Sequence, residues 1–377
     1  MSQQTKSDSN FIPVFEPFID FEDKWNVFKA ISKKNISGSA NIVSLFETEF
    51  AELHKREFGV AVSNGSVALD LAFACLELKK GDEVIIPSHT IISCLASVVR
   101  NNGTPVFCDV DNKSWNMSLE EVKKVVTNKT KAILMVHTFG LACEAVEIEN
   151  YCKEKDIILI EDAAEAHGQQ VNNRKCGSFG LMSTFSFYAN KHVTTGEGGM
   201  LLTNSETVFQ KISQMKNLDF TKKRFQHENL YWNYRLGGLQ AALGLSQIKK
   251  LDKTIKKKMN QGKIYHELLN KYTNLIELQP LQYKGIKNHY WVFGVLLKQP
   301  GIRDHVMEKL LSQGIETRPF FFPLHLQNAL PPKFRDGNKE LSVSEFLGNN
   351  GLYIPMGTHI NKSTQDFIVN KLIEIIN

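Results

Sequence analysis

The runs FGVAVS (58–63), EVIIPS (83–88), TPVFCDV (104–110), AILMVHTFG (132–140) and DIILIED (156–162) decide the fold. Each is short and nearly all apolar, and each is separated from the next by a stretch with helical periodicity. That alternation predicts parallel strands covered on both faces and joined by crossover helices. Ser118 and Glu121 have the spacing of a capping box that opens one crossover helix. Two further runs, TFSFY (184–188) and GGMLLT (198–203), lie closer together and predict a hairpin-like excursion. The expected class is α/β, with a mostly parallel mixed sheet flanked by helices.

Beyond this core, LGGLQAALGLSQIKKLD (236–252) reads as an amphipathic helix, which KTIKKKM (253–259) continues with a lysine run read as a solvated face. HYWVFGVLL (289–297) alternates like a strand, a helix is expected near 302–313 with Gly314 as its stop, and TRPFFFPLH (317–325) is extended. The expected organisation is a flexible tail over 1–10, a large domain over 11–250 and a smaller C-terminal α+β domain over 251–377.

With 377 residues and 42% hydrophobic content, the chain can bury two cores. A net charge of +5 is too mild for a nucleic-acid footprint, so no nucleic-acid partner is expected. The six cysteines show no CxxC spacing and fall mainly in apolar runs, the pattern of buried reduced thiols with no metal site. No stretch reaches the roughly 18 apolar residues of a membrane span, and the polar start MSQQTKSDSN has no apolar signal core. A cytoplasmic enzyme without a membrane partner is the expectation.

In open α/β sheets, ligands sit beyond the carboxyl ends of strands. The first run ends in Ser63-Asn64-Gly65-Ser66 ahead of a helix, where a glycine lets main-chain amides approach a phosphate at a helix N-terminus. Taken alone, the same four residues read as an ordinary turn and cap. DIILIED ends in Glu161-Asp162, where buried carboxylates call for a cation: a protonated ring nitrogen, a Lys or Arg, or a metal. FSFYANKH (185–192) then sets Lys191 between an aromatic strand and the glycine-rich TTGEGG (194–199). Desolvation there makes an amine nucleophilic toward an aldehyde, although a lysine beside a flexible loop would look similar. His192 is left without a role.

The order of these segments, with Lys191 placed 29 positions after Asp162 (191 − 162), resembles fold-type I pyridoxal-phosphate enzymes. More closely, SNGSVALDLAF, GDEVIIPSHT, EDAAEAHG, FSFYANK, TTGEGGM and QAALGLSQ resemble the DegT/DnrJ/StrS family of sugar aminotransferases, from about residue 36 to the end. The resemblance implies pyridoxal 5′-phosphate held by Lys191 as a Schiff base, with Lys191 also shuttling the proton. It implies Asp162 on the ring nitrogen, Gly65, Ser66 and Ser186 on the phosphate, and Glu165 near the phenolic oxygen. It further implies that Asn233 and Arg235 reach the neighbouring subunit's site in a homodimer. The donor implied is L-glutamate or L-glutamine, and the acceptor a keto group on a nucleotide-linked sugar. EDAAEAHG, NKHVTTGEGGM and ETRPFFFPLH resemble most the GDP-perosamine synthases, which aminate C4 of GDP-4-keto-6-deoxymannose.

Arg318 and His325 are candidate substrate contacts, because they flank the extended segment expected to cover the site. Three positions depart from the family pattern: Ile91 where an aromatic usually stacks on the ring, Thr138 for a usual Leu, and Gly237-Gly238 after NYR. These departures leave room for a smaller or differently shaped acceptor, such as a phosphorylated ketone. A dehydratase branch of the family carries histidine at the Schiff-base position, which Lys191 argues against. A non-catalytic homologue would lack Lys191 or Asp162, and both are present.

Overall fold

The computed structural model describes residues 11–220, 223, 225–335 and 340–377. Its larger sheet has seven strands: β1 (Phe58–Val62), β2 (Glu83–Pro87), β3 (Thr104–Cys108), β4 (Thr130–Val136), β5 (Ile158–Asp162), β6 (Met182–Ser186) and β7 (Gly199–Thr203). Their order is β1-β7-β6-β5-β4-β2-β3. β7 pairs antiparallel with both β1 and β6, whereas β6-β5, β5-β4, β4-β2 and β2-β3 are parallel. The hairpin-like excursion is thus the β6-β7 pair, and the class read from the sequence holds.

Continuous apolar runs follow from burial on both faces. Ile133, Met135 and Leu159 face one core with Phe46, Phe50 and Ile148, while Leu134, Val136 and Ile160 face another with Leu71, Phe73 and Val98. Successive strand side chains alternate between faces, so each strand needs apolar residues at every position. The Asn64 side chain accepts the Val67 N–H at 2.9 Å and caps the helix Gly65–Leu76 that follows β1. Ser118 accepts the Glu121 N–H at 3.3 Å and opens a helix of only five residues, Leu119–Lys123.

The long C-terminal helix expected from 236 is instead two helices, Gly238–Ile248 and Leu251–Leu269. The break at Lys249-Lys250 lets Lys250 pair with Asp23 of the helix Phe21–Ser32 at 2.9 Å and with that helix's N-cap, Asp20. It also sets Leu251, Ile255, Lys258, Gly262, Tyr265 and Leu269 on the buried stripe of the second helix. Lys258 therefore departs from the solvated-face reading of its lysine run.

A second sheet comprises β8 (Ile276–Leu278), β9 (Phe293–Leu297), β10 (Arg318–Pro319) and β11 (Gly351–Ile354), in the antiparallel order β8-β9-β11-β10. Its core gathers Tyr265, Phe293, Leu310, Leu352 and Ile368. Residues 12–14 lie against this sheet: Ile12 donates to the Gly314 carbonyl at 2.7 Å, and Val14 accepts from Met356 at 3.1 Å. All six cysteines are free, five of them buried. Among the described residues, no helix is long and apolar enough to cross a membrane.

The two sheets meet where Phe139-Gly140, just past β4, lies against His289 and Trp291. His289 donates to the Gly140 carbonyl at 3.0 Å, and Trp291 to the Phe139 carbonyl at 3.1 Å. Gly140 has φ +92°, and a Cβ there would lie 2.3 Å from the Trp291 nitrogen, so only glycine fits.

Candidate active site

Beyond the carboxyl ends of β1, β5 and β6 opens a cavity of about 560 Å³, with Gly65, Ser66, Asp162, Glu165, Ser186 and Lys191 on its wall. Six residues singled out from three separate stretches of sequence thus converge on one space, at the edge of the sheet where ligands are expected.

The end of β5 sorts its two carboxylates by strand alternation. Glu161 is fully buried and accepts from His137 Nε2 at 2.9 Å, Gly177 N at 2.6 Å and Phe179 N at 2.9 Å. It is a structural latch, a role that the strand's alternation could have signalled. Asp162 faces the cavity, accepting the Ala164 N–H at 3.0 Å and the Cys94 thiol at 3.6 Å. Burial raises its carboxyl above the usual range.

Lys191 follows β6 after a tight turn in which its N–H bonds the Tyr188 carbonyl at 2.9 Å. Its Nζ lies 3.6 Å from Glu165 Oε1 and 3.8 Å from the centroid of the Trp291 indole. Burial lowers its pKa, against the pull of the Glu165 and Asp162 charges. Burial likewise pushes Glu165 up to about 7, against the Lys191 charge and the Phe139 N–H that its other oxygen accepts at 2.9 Å. The downward shift at Lys191 favours the free amine that condensation with a carbonyl requires.

Part of the cavity wall is the N-terminus of the helix Gly65–Leu76, set against the end of β6. A Cβ on Gly65 would lie 2.8 Å from the Ser186 Cβ, so glycine keeps the capped helix end close to β6. Ser66 Oγ lies 2.6 Å from Ser93 Oγ, a cavity-wall residue that the sequence reading did not single out. Hydroxyls beside the N-terminus of a twelve-residue helix, where the first amides have no acceptor within the helix, suit a phosphate.

Four sequence-predicted residues are placed elsewhere. Asn233 is exposed and bridges Asn217, while Arg235 Nη1 donates to Asn217 Oδ1 at 2.5 Å; neither lines the cavity. Arg318 pairs with Glu316 at the surface. His325 is buried, its Nδ1 2.6 Å from Ser88 Oγ and its Nε2 3.1 Å from Glu345 Oε1, so it ties the extended segment to the end of β2. Neither of these two lines the cavity.

Of the three departures, only Ile91 lines the cavity, where it is half exposed. Thr138 is buried and accepts nothing from the cavity; its N–H donates to Asn116 Oδ1 at 2.6 Å. Gly238 answers to packing, since a Cβ there would lie 2.2 Å from the Asn35 carbonyl oxygen. Trp291, whose indole covers Lys191, sits inside a run that looked only like a strand.

Comparison with known proteins agrees with this arrangement. Residues 19–373 match the DegT/DnrJ/EryC1/StrS aminotransferase family. A GDP-perosamine synthase of Escherichia coli O157:H7 is 33% identical over 365 residues, covering 97% of this chain and 98% of its own. One from Vibrio cholerae is 38% identical over 317 residues, covering 83% and 86%. The solved structure of Helicobacter pylori PseC, an aminotransferase involved in the biosynthesis of pseudoaminic acid, superposes with a TM-score of 0.90 at 23% identity over 97% of this chain and 99% of its own, a likeness of fold. The chain belongs to the DegT/DnrJ/EryC1/StrS family, and is a pyridoxal-phosphate-dependent sugar aminotransferase.

Proposed function

We propose that the protein moves an amino group from L-glutamate, or L-glutamine, to C4 of GDP-4-keto-6-deoxymannose, and so acts as a GDP-perosamine synthase. The observation that carries this reading is Lys191 Nζ, buried between Glu165 Oε1 and the Trp291 indole on a cavity shared with Asp162. The identity to two GDP-perosamine synthases supports the acceptor.

The cavity's residues fit pyridoxal phosphate. Gly65 leaves the cradle open to main-chain approach, Ser66 and Ser186 offer hydroxyls, and Asp162 offers a buried carboxylate for a cationic ring nitrogen. Asn190 Oδ1, on the same wall, is buried without a partner among the described residues and can accept an incoming donor. The cofactor, when bound, supplies a carbonyl that condenses with amines and a ring that delocalises the electron pair left on a deprotonated carbon.

The chain's own groups do the rest. Lys191 Nζ would hold the cofactor through its carbonyl and, as a free base, would carry the proton away from the substrate carbon and back. Glu165 Oε1 lies beside that nitrogen, and Asp162, on the same cavity, would face a cationic ring nitrogen, whose charge would favour the carboxylate form against the burial that raises its pKa. The same groups run in reverse with the keto acceptor, which makes the kinetics ping-pong. We further infer a homodimer in which Asn233 and Arg235 complete the partner's site, and a division into large and small domains near residue 250. Asn233's exposure away from its own cavity supports the first inference.

The test is an acceptor panel. Enzyme converted to its amine form with L-glutamate is mixed with GDP-4-keto-6-deoxymannose, keto sugars carried on other nucleotides, and phosphorylated ketones. The proposal expects the GDP sugar to restore the starting spectrum fastest; fastest return with a phosphorylated ketone would replace it with the small-ketone reading.

A further inference from the structure

Lys258 lies on the buried stripe of the helix Leu251–Leu269, where apolar neighbours at Leu251, Ile255, Tyr265 and Leu269 call for another apolar residue. A buried lysine costs free energy unless its charge is put to use. Its Nζ donates to the main-chain carbonyl of Trp291 at 2.6 Å. It also lines a small second cavity with Asn190 and Lys191, two residues that line the large cavity as well.

The bond to Trp291 belongs to a closed circuit. The Trp291 N–H donates to the Phe139 carbonyl at 3.1 Å, and the Phe139 N–H donates to Glu165 Oε2 at 2.9 Å. Glu165 Oε1 lies 3.6 Å from Lys191 Nζ, over which the Trp291 ring sits at 3.8 Å. The indole Nε1–H closes the circuit at 3.1 Å on the carbonyl of Asn190, the residue before Lys191. Every position of Trp291 able to bond is therefore held, its carbonyl by Lys258. Phe139 and Tyr290 adopt φ of 64° and 53°, so the backbone here sits in the sparsely populated left-handed region and depends on its surroundings to stay.

We propose that Lys258 is a positioning residue for the reaction: by bonding the Trp291 carbonyl, it fixes the indole over Lys191 and couples the helix Leu251–Leu269 to the amine. Burial, and then the Lys191 charge, lower its pKa to about 7. The titratable groups around it are Lys191, His192, Glu16 and His359. Burial lowers His192 well below its usual range and lowers His359 as well, which pushes both imidazoles toward the neutral form. The inference rests on Lys191 being the cofactor-bearing lysine, and is independent of the acceptor.

The test compares Lys258→Met, which removes the donor, with Lys258→Gln, which keeps one. Both are purified with cofactor, and the single-turnover reaction with L-glutamate is followed together with visible-region circular dichroism, which reports how asymmetrically the cofactor is held. For Lys258→Met we expect a weakened dichroic band and a half-reaction slowed about tenfold, with the donor's half-saturation little changed, as loss of orientation without loss of binding implies. Lys258→Gln should recover most of both. A merely structural role would lower the melting temperature of Lys258→Met and leave its band and rate parental, which overturns the proposal. Equal loss in Met and Gln overturns it as well. Should Lys258→Met not fold, Trp291→Phe cuts the indole bond to Asn190 and should reproduce the weakened band; a parental band and rate there would show that the circuit does not position Lys191. Absence of a visible band in the parent would instead count against Lys191 as the cofactor lysine.

Discussion

Glu161 and Asp162 are consecutive carboxylates at the end of β5 that face opposite sides of the sheet and do opposite work. Glu161 is saturated by His137 and two backbone amides, while Asp162 opens onto the cavity that holds Lys191. Strand alternation alone separates a latch from a site residue one position away.

Substituting Glu161→Gln turns one carboxylate oxygen into a donor facing other donors in a fully buried position. The expected cost is about 3 kcal/mol of stability, the size of a broken buried charged network. Urea unfolding should show it, while whatever enzyme remains folded keeps its ratio of activity to bound cofactor.

Asp162→Asn keeps the shape and removes the charge. The protein should fold and retain cofactor, and its half-reaction with L-glutamate should slow by about 10²- to 10⁴-fold, the range of a lost acid-base or electrostatic contribution. Stopped-flow absorbance measures it; a rate within a few-fold of the parent would remove Asp162 from the mechanism.

Gly65→Ala places a methyl group 2.8 Å from the Ser186 Cβ, closer than real Cβ contacts come. The helix end must move away from β6. Cofactor affinity should therefore fall about tenfold or more, as expected when main-chain approach to a phosphate is blocked. Equilibrium dialysis against pyridoxal phosphate provides the measurement, and unchanged affinity would move the phosphate cradle elsewhere.

Histidines shielded from solvent, among them His54, His89 and His289, make the fold acid-sensitive. Burial, their largest influence, lowers His54 to about 3 and His89 and His289 to about 4. These groups are neutral in the folded protein and protonated in the unfolded chain once the pH falls below about 6.5, so unfolding takes up protons and stability is lost as the pH drops from there toward 4. Near pH 5 they contribute about three protons, or about 4 kcal/mol per pH unit. Denaturant titrations between pH 5 and 6 should show stability falling with pH, and His54→Gln should lower the slope by about one proton.

Much of this was legible in sequence because it is written in short range. Five apolar runs with helical spacers gave most of the sheet, and the ends of three runs, TFSFY among them, pointed to Gly65, Ser66, Asp162 and Lys191, which meet on one cavity, since strand ends and helix starts are local features. Trp291 and Ser93 were not legible: their roles arise from the second sheet meeting the first, and from two helix starts meeting across the cradle. Lys258 was hidden inside KTIKKKM, yet its seven-residue spacing from Leu251 and from Tyr265 places it on the buried stripe. Arg318 and His325 were chosen for lying in an extended segment that reaches the site, but His325 is the peg that anchors the segment and Arg318 pairs at the surface. Gly238 looked like a specificity position and is a packing one.

The most direct test of the account is the visible absorbance of purified enzyme and of Lys191→Ala, each loaded with pyridoxal phosphate, before and after L-glutamate. The account predicts a lysine-linked cofactor band in the parent that L-glutamate converts to the amine form, and neither band nor turnover in Lys191→Ala, with activity down at least about 10³-fold. A band that survives in Lys191→Ala together with donor conversion would contradict it.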